Sequence, residues 1–209
     1  MDRSGLLWLG TYEGGLNIFN PKTGKNRRFY HQPGNSNSLA DNSVWDIIQD
    51  KKGNIWLGTL RQGLELYNPS DESFTHFTRD PSNENSLIGN SVRNLFEDSD
   101  GLIWIGTEWE GLSSFDYESN TFNRYKHIEQ DDNSLINDYV RTFYEDHIKR
   151  VWIGTAEGIS IFDKKSNEFV SAPVNDLLPD LIINGITQDD NNVFWISTNR
   201  GVSQYNAET

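Results

Sequence analysis

The chain has 209 residues, is 12% aromatic, carries 17 glycines and no cysteine, and has a net charge of −13. Without cysteine there are no disulfides, thiolate metal sites or thiol nucleophiles, and an acidic chain with no basic stretch argues against a nucleic-acid partner, whose phosphates need Lys and Arg. No apolar run approaches the roughly 18 residues of a membrane helix, and Met1 is followed at once by patterned sequence rather than a signal peptide, so any export would be directed from outside this chain.

The pattern starts at LWLGT. Trp8, Trp56, Trp104, Trp152 and Trp195 fall 48, 48, 48 and 43 residues apart, in LWLGT, IWLGT, IWIGT, VWIGT and FWIST. A period of this length means one supersecondary unit stacked on itself. The first full unit begins at Ser43: SVWDIIQD reads as a strand, KKGN as a turn and IWLGT as a second strand. A turn at Leu60-Arg61-Gln62-Gly63 leads to LELYN, and NPSDES to FTHFTR, completing an antiparallel meander. The next copies give SVRNLFED, IWIGT, LSSFD and FNRYKH, then YVRTFYED, VWIGT, ISIFD and EFVSA.

The IWLGT strand is apolar on both faces, the sign of a sheet covered on both sides. Four-stranded sheets packed face to face around an axis make a β-propeller. A β-helix would use shorter coils, and a sandwich would not repeat so closely. The expected fold is therefore all-β, a propeller of four-stranded antiparallel blades. The repeats run about 1–42, 43–90, 91–138, 139–183 and 184–209 as a single segment. The chain opens on a second strand and stops after a third, so the expectation is an incomplete arc. It has three full blades and two partial ones, an excerpt of a larger propeller with exposed edges.

Most recurring residues have structural work to do. Each Trp is expected to be buried, removing about 150–250 Å² from water. Gly15, Gly63, Gly111, Gly158 and Gly201 sit where a hairpin needs positive φ. Asn20, Asn68, Asp116, Asp163 and Asn206 suit Asx turns, and Asp50, Asp98, Asp146 and Asp189 end the innermost strand. Asp98-Ser99-Asp100-Gly101 has the start of a calcium loop without its further ligands, so no metal and no cofactor is expected. His31 and His127, with Arg79 between them, are read as exposed residues of the outer edge strand.

The order NSL, NSV, DxxG, IWLGT, GL and YNP resembles the two-component regulator propeller repeat, with NSL recurring at Asn37-Ser38-Leu39, Asn85-Ser86-Leu87 and Asn133-Ser134-Leu135. The resemblance covers essentially the whole chain. The fifth copy departs from it, with Ser197 in place of the glycine and a shortened loop without NSL. It implies the extracytoplasmic, periplasmic sensor of a hybrid histidine kinase, typically seven-bladed, that responds to oligosaccharides. The implied partners are an oligosaccharide, the rest of the same receptor chain and a second copy in a homodimer. None of the kinase machinery is present, so this chain is not expected to be an enzyme.

Because strands alternate direction, the loops at 31–43, 79–91 and 127–138 share one end with the turns after each GT. The scaffold barely changes between copies, whereas this end does. It carries Tyr12 and Glu13, Arg61 and Gln62, Glu108, Trp109 and Glu110, Glu157, and Arg200. Trp45, Arg93 and Arg141 join them from one equivalent position of the innermost strands. Function tends to sit on loops held by a rigid frame. An exposed Trp with Arg, Glu, Gln and Asn nearby can stack on a sugar ring and hydrogen-bond its hydroxyls. Two other classes stay open. One is a propeller enzyme of the lyase or glycosidase type, since streptogramin-type lyases look similar at repeat level. The other is a protein-interaction propeller.

Overall fold

A computed structural model describes residues 1–206 as five antiparallel sheets. The first has three strands, β1 (Leu7–Gly10), β2 (Leu16–Phe19) and β3 (Asn26–Phe29). Three four-stranded sheets follow. The second holds β4 (Val44–Gln49), β5 (Ile55–Thr59), β6 (Leu64–Asn68) and β7 (Ser73–Phe77). The third holds β8 (Val92–Glu97), β9 (Ile103–Thr107), β10 (Leu112–Asp116) and β11 (Thr121–Tyr125). The fourth holds β12 (Val140–Glu145), β13 (Val151–Thr155), β14 (Gly158–Asp163) and β15 (Glu168–Ser171). After a single 3-10 turn at Pro173–Leu177, β16 (Ile183–Gln188), β17 (Val193–Thr198) and β18 (Gly201–Asn206) form the last sheet. Strand order is sequential throughout. The sheets form propeller blades that do not close into a ring.

Four apolar layers separate the five sheets. Trp56 meets Phe115 of the next sheet at 5.4 Å, Trp104 meets Phe162 at 5.1 Å, and Trp152 stacks on Phe194 at 4.1 Å. These three indoles are fully buried, worth about 4–6 kcal/mol each as an upper bound on transfer alone. A buried indole N–H needs an acceptor. Asp50, Asp98 and Asp146 supply it at 2.9, 3.0 and 2.9 Å, and Asp2 and Asp189 do the same for Trp8 and Trp195. The other carboxylate oxygen takes backbone N–H groups of the following turn, as Asp98 does from Asp100 and Leu102. The aspartate therefore builds the turn and satisfies the Trp six residues on, a pairing not contained in its reading as the end of the innermost strand.

The glycine of each IWLGT phrase is required by a close approach. A Cβ on Gly58, Gly106 or Gly154 would lie 2.7, 2.6 or 2.6 Å from the valine or isoleucine that starts the next sheet. The hairpin glycines do adopt positive φ, from 73° at Gly15 to 128° at Gly201. The long loops are tied to the neighbouring turn. The N–H groups of Gly15, Gly63 and Gly111 donate to Asn42, Asn90 and Asp138 carbonyls, and the side chains of those three residues accept from the N–H of His31, Arg79 and His127. His31 and His127 lie beyond β3 and β11 rather than on them, each ring Nδ1 bonding a loop carbonyl, of Leu39 and Leu135. They are loop clasps, which corrects the edge-strand expectation.

Candidate functional site

All four innermost strands carry the same irregularity. In β4, Val44 pairs with Thr59 and Asp46 with Gly58, leaving Trp45 as an extra residue. The shift recurs around Arg93 in β8, Arg141 in β12 and Asn184 in β16. A β-bulge unpairs one residue and re-aims its side chain, and such bulges gather beside functional sites. Here the four bulged residues, with Asn94, line one pocket of about 340 Å³ where the innermost strands adjoin. The bulges lie where each strand emerges from its long loop, the end that carries the variable turns.

The pocket wall is aromatic and cationic. The Arg93 guanidinium carbon lies 5.1 Å from the Trp45 ring and 5.4 Å from the Tyr139 ring, and that of Arg141 lies 5.3 Å from Tyr139. Arg141 is fixed by donating through Nε to the Ile183 carbonyl at 2.9 Å and through Nη2 to Asn184 Oδ1 at 2.6 Å. Asn184 in turn donates to Asn199 Oδ1. Above them the exposed Trp109 packs on Tyr139 with ring centroids 4.4 Å apart. Glu108 faces Arg93 at 3.8 Å and accepts from the Tyr139 hydroxyl at 3.4 Å and the Ser91 hydroxyl at 3.3 Å. Below the wall, Asp46 accepts the N–H of Leu95 at 2.7 Å and ties β4 to β8. Burial raises its carboxyl above the ordinary value, against the pull of the Leu95 and Ile47 N–H groups.

Of the residues expected from sequence, Trp45, Arg93 and Arg141 line the pocket, Glu108 contacts its lining at Arg93, and Trp109 packs on Tyr139, whose ring lies against both arginines. Glu110 lies beside them and faces Arg79 at 3.8 Å. The others are distributed along the rim, one turn per sheet. Tyr12 is exposed, Glu13 has its N–H on Ser43 Oγ, Arg61 its N–H on Asp41, Gln62 its N–H on Thr59, and Glu157 its N–H on Thr155. Arg200 pairs with Asp180 at 3.3 Å. Tyr139, Asn94 and Asn184 were not anticipated. Tyr139 could have been found, because it replaces Ser43 and Ser91 at the position before each innermost strand. Asn184 is the fourth member of the Trp45, Arg93 and Arg141 series, hidden by the shortened loop of the last copy.

A larger cavity, about 590 Å³, lies around the turns that follow the innermost strands. Asp98 and Asp100 of its lining, together with the adjacent Glu145, surround the Lys164 ammonium, with Nζ 2.9, 2.9 and 2.7 Å from the three carboxylates. Hydrogen bonds from Lys149 and Lys164 hold the Asp100 carboxyl down to about 2. Burial opposes the Lys164 charge, but the carboxylates outweigh it and raise its pKa. The cation this cluster holds is a side chain of the protein.

The profile of the two component regulator propeller matches residues 38–61, 86–109 and 134–157. The chain carries two-component regulator propeller repeats. Each matched stretch of the repeat runs from the NSL loop through the bulged strand to the turn after GT, so it spans both sources of variable residues. Among solved structures, the extracellular domain of a putative hybrid two component system from B. thetaiotaomicron is 21% identical. It covers 99% of this chain and 28% of that one, with a TM-score of 0.79. A second such domain from the same organism is 23% identical, covering 100% and 33%, with a TM-score of 0.60. Virginiamycin B lyase from Staphylococcus aureus is 14% identical, covering 100% and 69%, with a TM-score of 0.69. At these identities the likeness is one of fold. The chain thus spans 28% and 33% of the length of the two extracellular domains. No curated protein matches the sequence.

Proposed function

We propose that this chain is a ligand-binding part of the extracytoplasmic sensor of a hybrid two-component system, and that its ligand is an oligosaccharide held at the bulge pocket. The observation that carries the reading is the register shift repeated in four consecutive innermost strands, which gathers Trp45, Arg93, Arg141 and Asn184 around one space. Aromatic faces at Trp45, Tyr139 and Trp109 suit sugar rings, and guanidinium and amide groups suit their hydroxyls. The fold shared with extracellular domains of two-component systems supports the sensor role. The rest of the receptor chain and a second copy in a dimer would carry the signal onward. A ligand can drive that step only by binding one receptor arrangement more tightly than the other.

The test is oligosaccharide binding by calorimetry alongside thermal unfolding. Trp109→Ala is expected to weaken binding about tenfold, as the loss of one exposed stacking face would, with little change in unfolding temperature. Equal losses of binding and stability would reassign Trp109 to the packing of Tyr139.

A lyase-type enzyme is the second reading, favoured by the fold shared with virginiamycin B lyase and by Glu108, whose carboxylate faces Arg93 and the Tyr139 hydroxyl. None of the four histidines lines the pocket. Turnover of an oligosaccharide, abolished by Glu108→Gln, would favour the enzyme over the sensor.

A further inference from the structure

The lining of the bulge pocket holds two guanidinium groups and no carboxylate. In a chain of net charge −13 that is a local inversion of sign. Both hydrogen-bond partners of Arg141 are neutral, a backbone carbonyl and an amide oxygen. The nearest carboxylate contact of Arg93, at 3.8 Å from Glu108, is longer than a hydrogen bond. Both cations lie against one ring, that of Tyr139. Two like charges sharing a ring repel each other, and an anion placed between them would relieve that repulsion. Asn94 adds an amide whose buried Oδ1 has no donor among the described residues, so no bond at that oxygen keeps the group from turning toward a ligand hydroxyl.

We propose that the pocket recognises an acidic saccharide: a uronate carboxylate lies between Arg93 and Arg141, the sugar ring lies against Trp45, and the Asn94 amide takes a ring hydroxyl. This rests on the sensor reading above and narrows its ligand class. A sulfate ester would present the same charge. Both anions can accept paired guanidinium N–H bonds, so the proposal commits to the carboxylate and the sulfated arm of the experiment decides between them.

The experiment measures binding to the full chain by calorimetry in three arms. The first uses oligogalacturonates, alginate fragments and aldouronic acids. The second uses the same compounds with each carboxyl reduced to a hydroxymethyl group, together with neutral glucan, xylan and mannan fragments. The third uses the reduced compounds sulfated at that carbon. At least one uronate series is expected to bind about 10–100-fold more tightly than its reduced form, the value of one or two charge-assisted hydrogen bonds. Arg141→Gln and Arg93→Gln should each lower the acid's affinity towards that of the reduced form without lowering the unfolding temperature. Arg141→Lys should retain part of it.

Equal binding of the acid and reduced forms, or of neutral fragments alone, would overturn the acidic class and leave the sensor reading standing. So would unchanged uronate affinity in both glutamine variants. Preference for the sulfated arm would overturn the carboxylate assignment. Binding in no arm would overturn the sensor reading and this inference with it.

Discussion

The three four-stranded sheets and the last three-stranded sheet carry the same Trp phrase, yet the phrase does different work in them. Trp56, Trp104 and Trp152 are buried, whereas Trp195 is 37% exposed. Gly58, Gly106 and Gly154 each lie under the first residue of the following sheet, whereas Ser197 occupies that position in the last sheet and has its hydroxyl near the Gly185 carbonyl at 3.4 Å. The indole-to-aspartate bond is kept in both regions, at 3.0 Å in Trp104 and in Trp195. The hydrogen bond therefore belongs to a sheet by itself, while the burial of the indole and the need for glycine belong to the packing of two sheets. The phrase reports an interface as much as a strand.

Substitutions can break that distinction. Trp104→Ala is expected to cost about 3–5 kcal/mol, as large-to-small changes in a closed core do, and Trp195→Ala only about 1. Urea denaturation of the two variants measures it, and equal losses would mean that Trp195 is as closely packed as its counterparts. Gly106→Ser should cost about 2–3 kcal/mol, because its Cβ would come within 2.6 Å of Val140 Cγ1. Ser197→Gly should change stability by no more than about 1 kcal/mol, the general cost of a strand glycine. Asp98→Ala leaves the buried Trp104 indole N–H without its acceptor and is expected to cost about 2–3 kcal/mol. Asp189→Ala exposes the Trp195 N–H to water and should cost well under that.

The fold was legible because the copies act as controls for one another: a Trp every 43 to 48 residues, bounded by Gly and Asn, leaves few alternatives to stacked meanders. The lining of the candidate pocket was legible only where a side chain changed type at a fixed position, as at Trp45, Arg93 and Arg141. What the sequence concealed was geometric. A one-residue bulge leaves no mark on strand patterning, yet it is what turns three side chains, and Asn184 with them, into one pocket. The rim residues Tyr12, Arg61, Glu157 and Arg200 vary just as much, but they stand one to a sheet, and variability alone does not say which positions converge. Asp50, Asp98 and Asp146 were read only as the ends of the innermost strands because a bond to the indole six residues on crosses from one strand to the next.

One position separates the inner sheets from each other. Ser113 and Ser160 accept the N–H of Ile88 and Ile136 at 3.0 and 2.9 Å, fastening the preceding loop. Their counterpart is Glu65, fully buried, with Oε2 2.8 Å from Nδ1 of His76. The His76 Nε2–H donates to the Ser36 carbonyl at 2.7 Å, so in the neutral ring Nδ1 is an acceptor. Burial pushes the Glu65 carboxyl up to about 9, with Asp41 adding to the effect, and the retained proton fills that bond. The sign follows: the folded chain keeps a proton that the unfolded chain releases, so this contribution is complete at low pH and is lost as pH rises towards 9. The unfolded carboxyl has its ordinary value near 4.5, so the decline runs upward from there towards 9. Glu65→Gln keeps a neutral donor opposite Nδ1 and should flatten the urea midpoint between pH 7 and 9 while preserving it at pH 7. A variant that retains the wild-type slope would place the proton elsewhere and make Glu65 an ion-pair partner of His76.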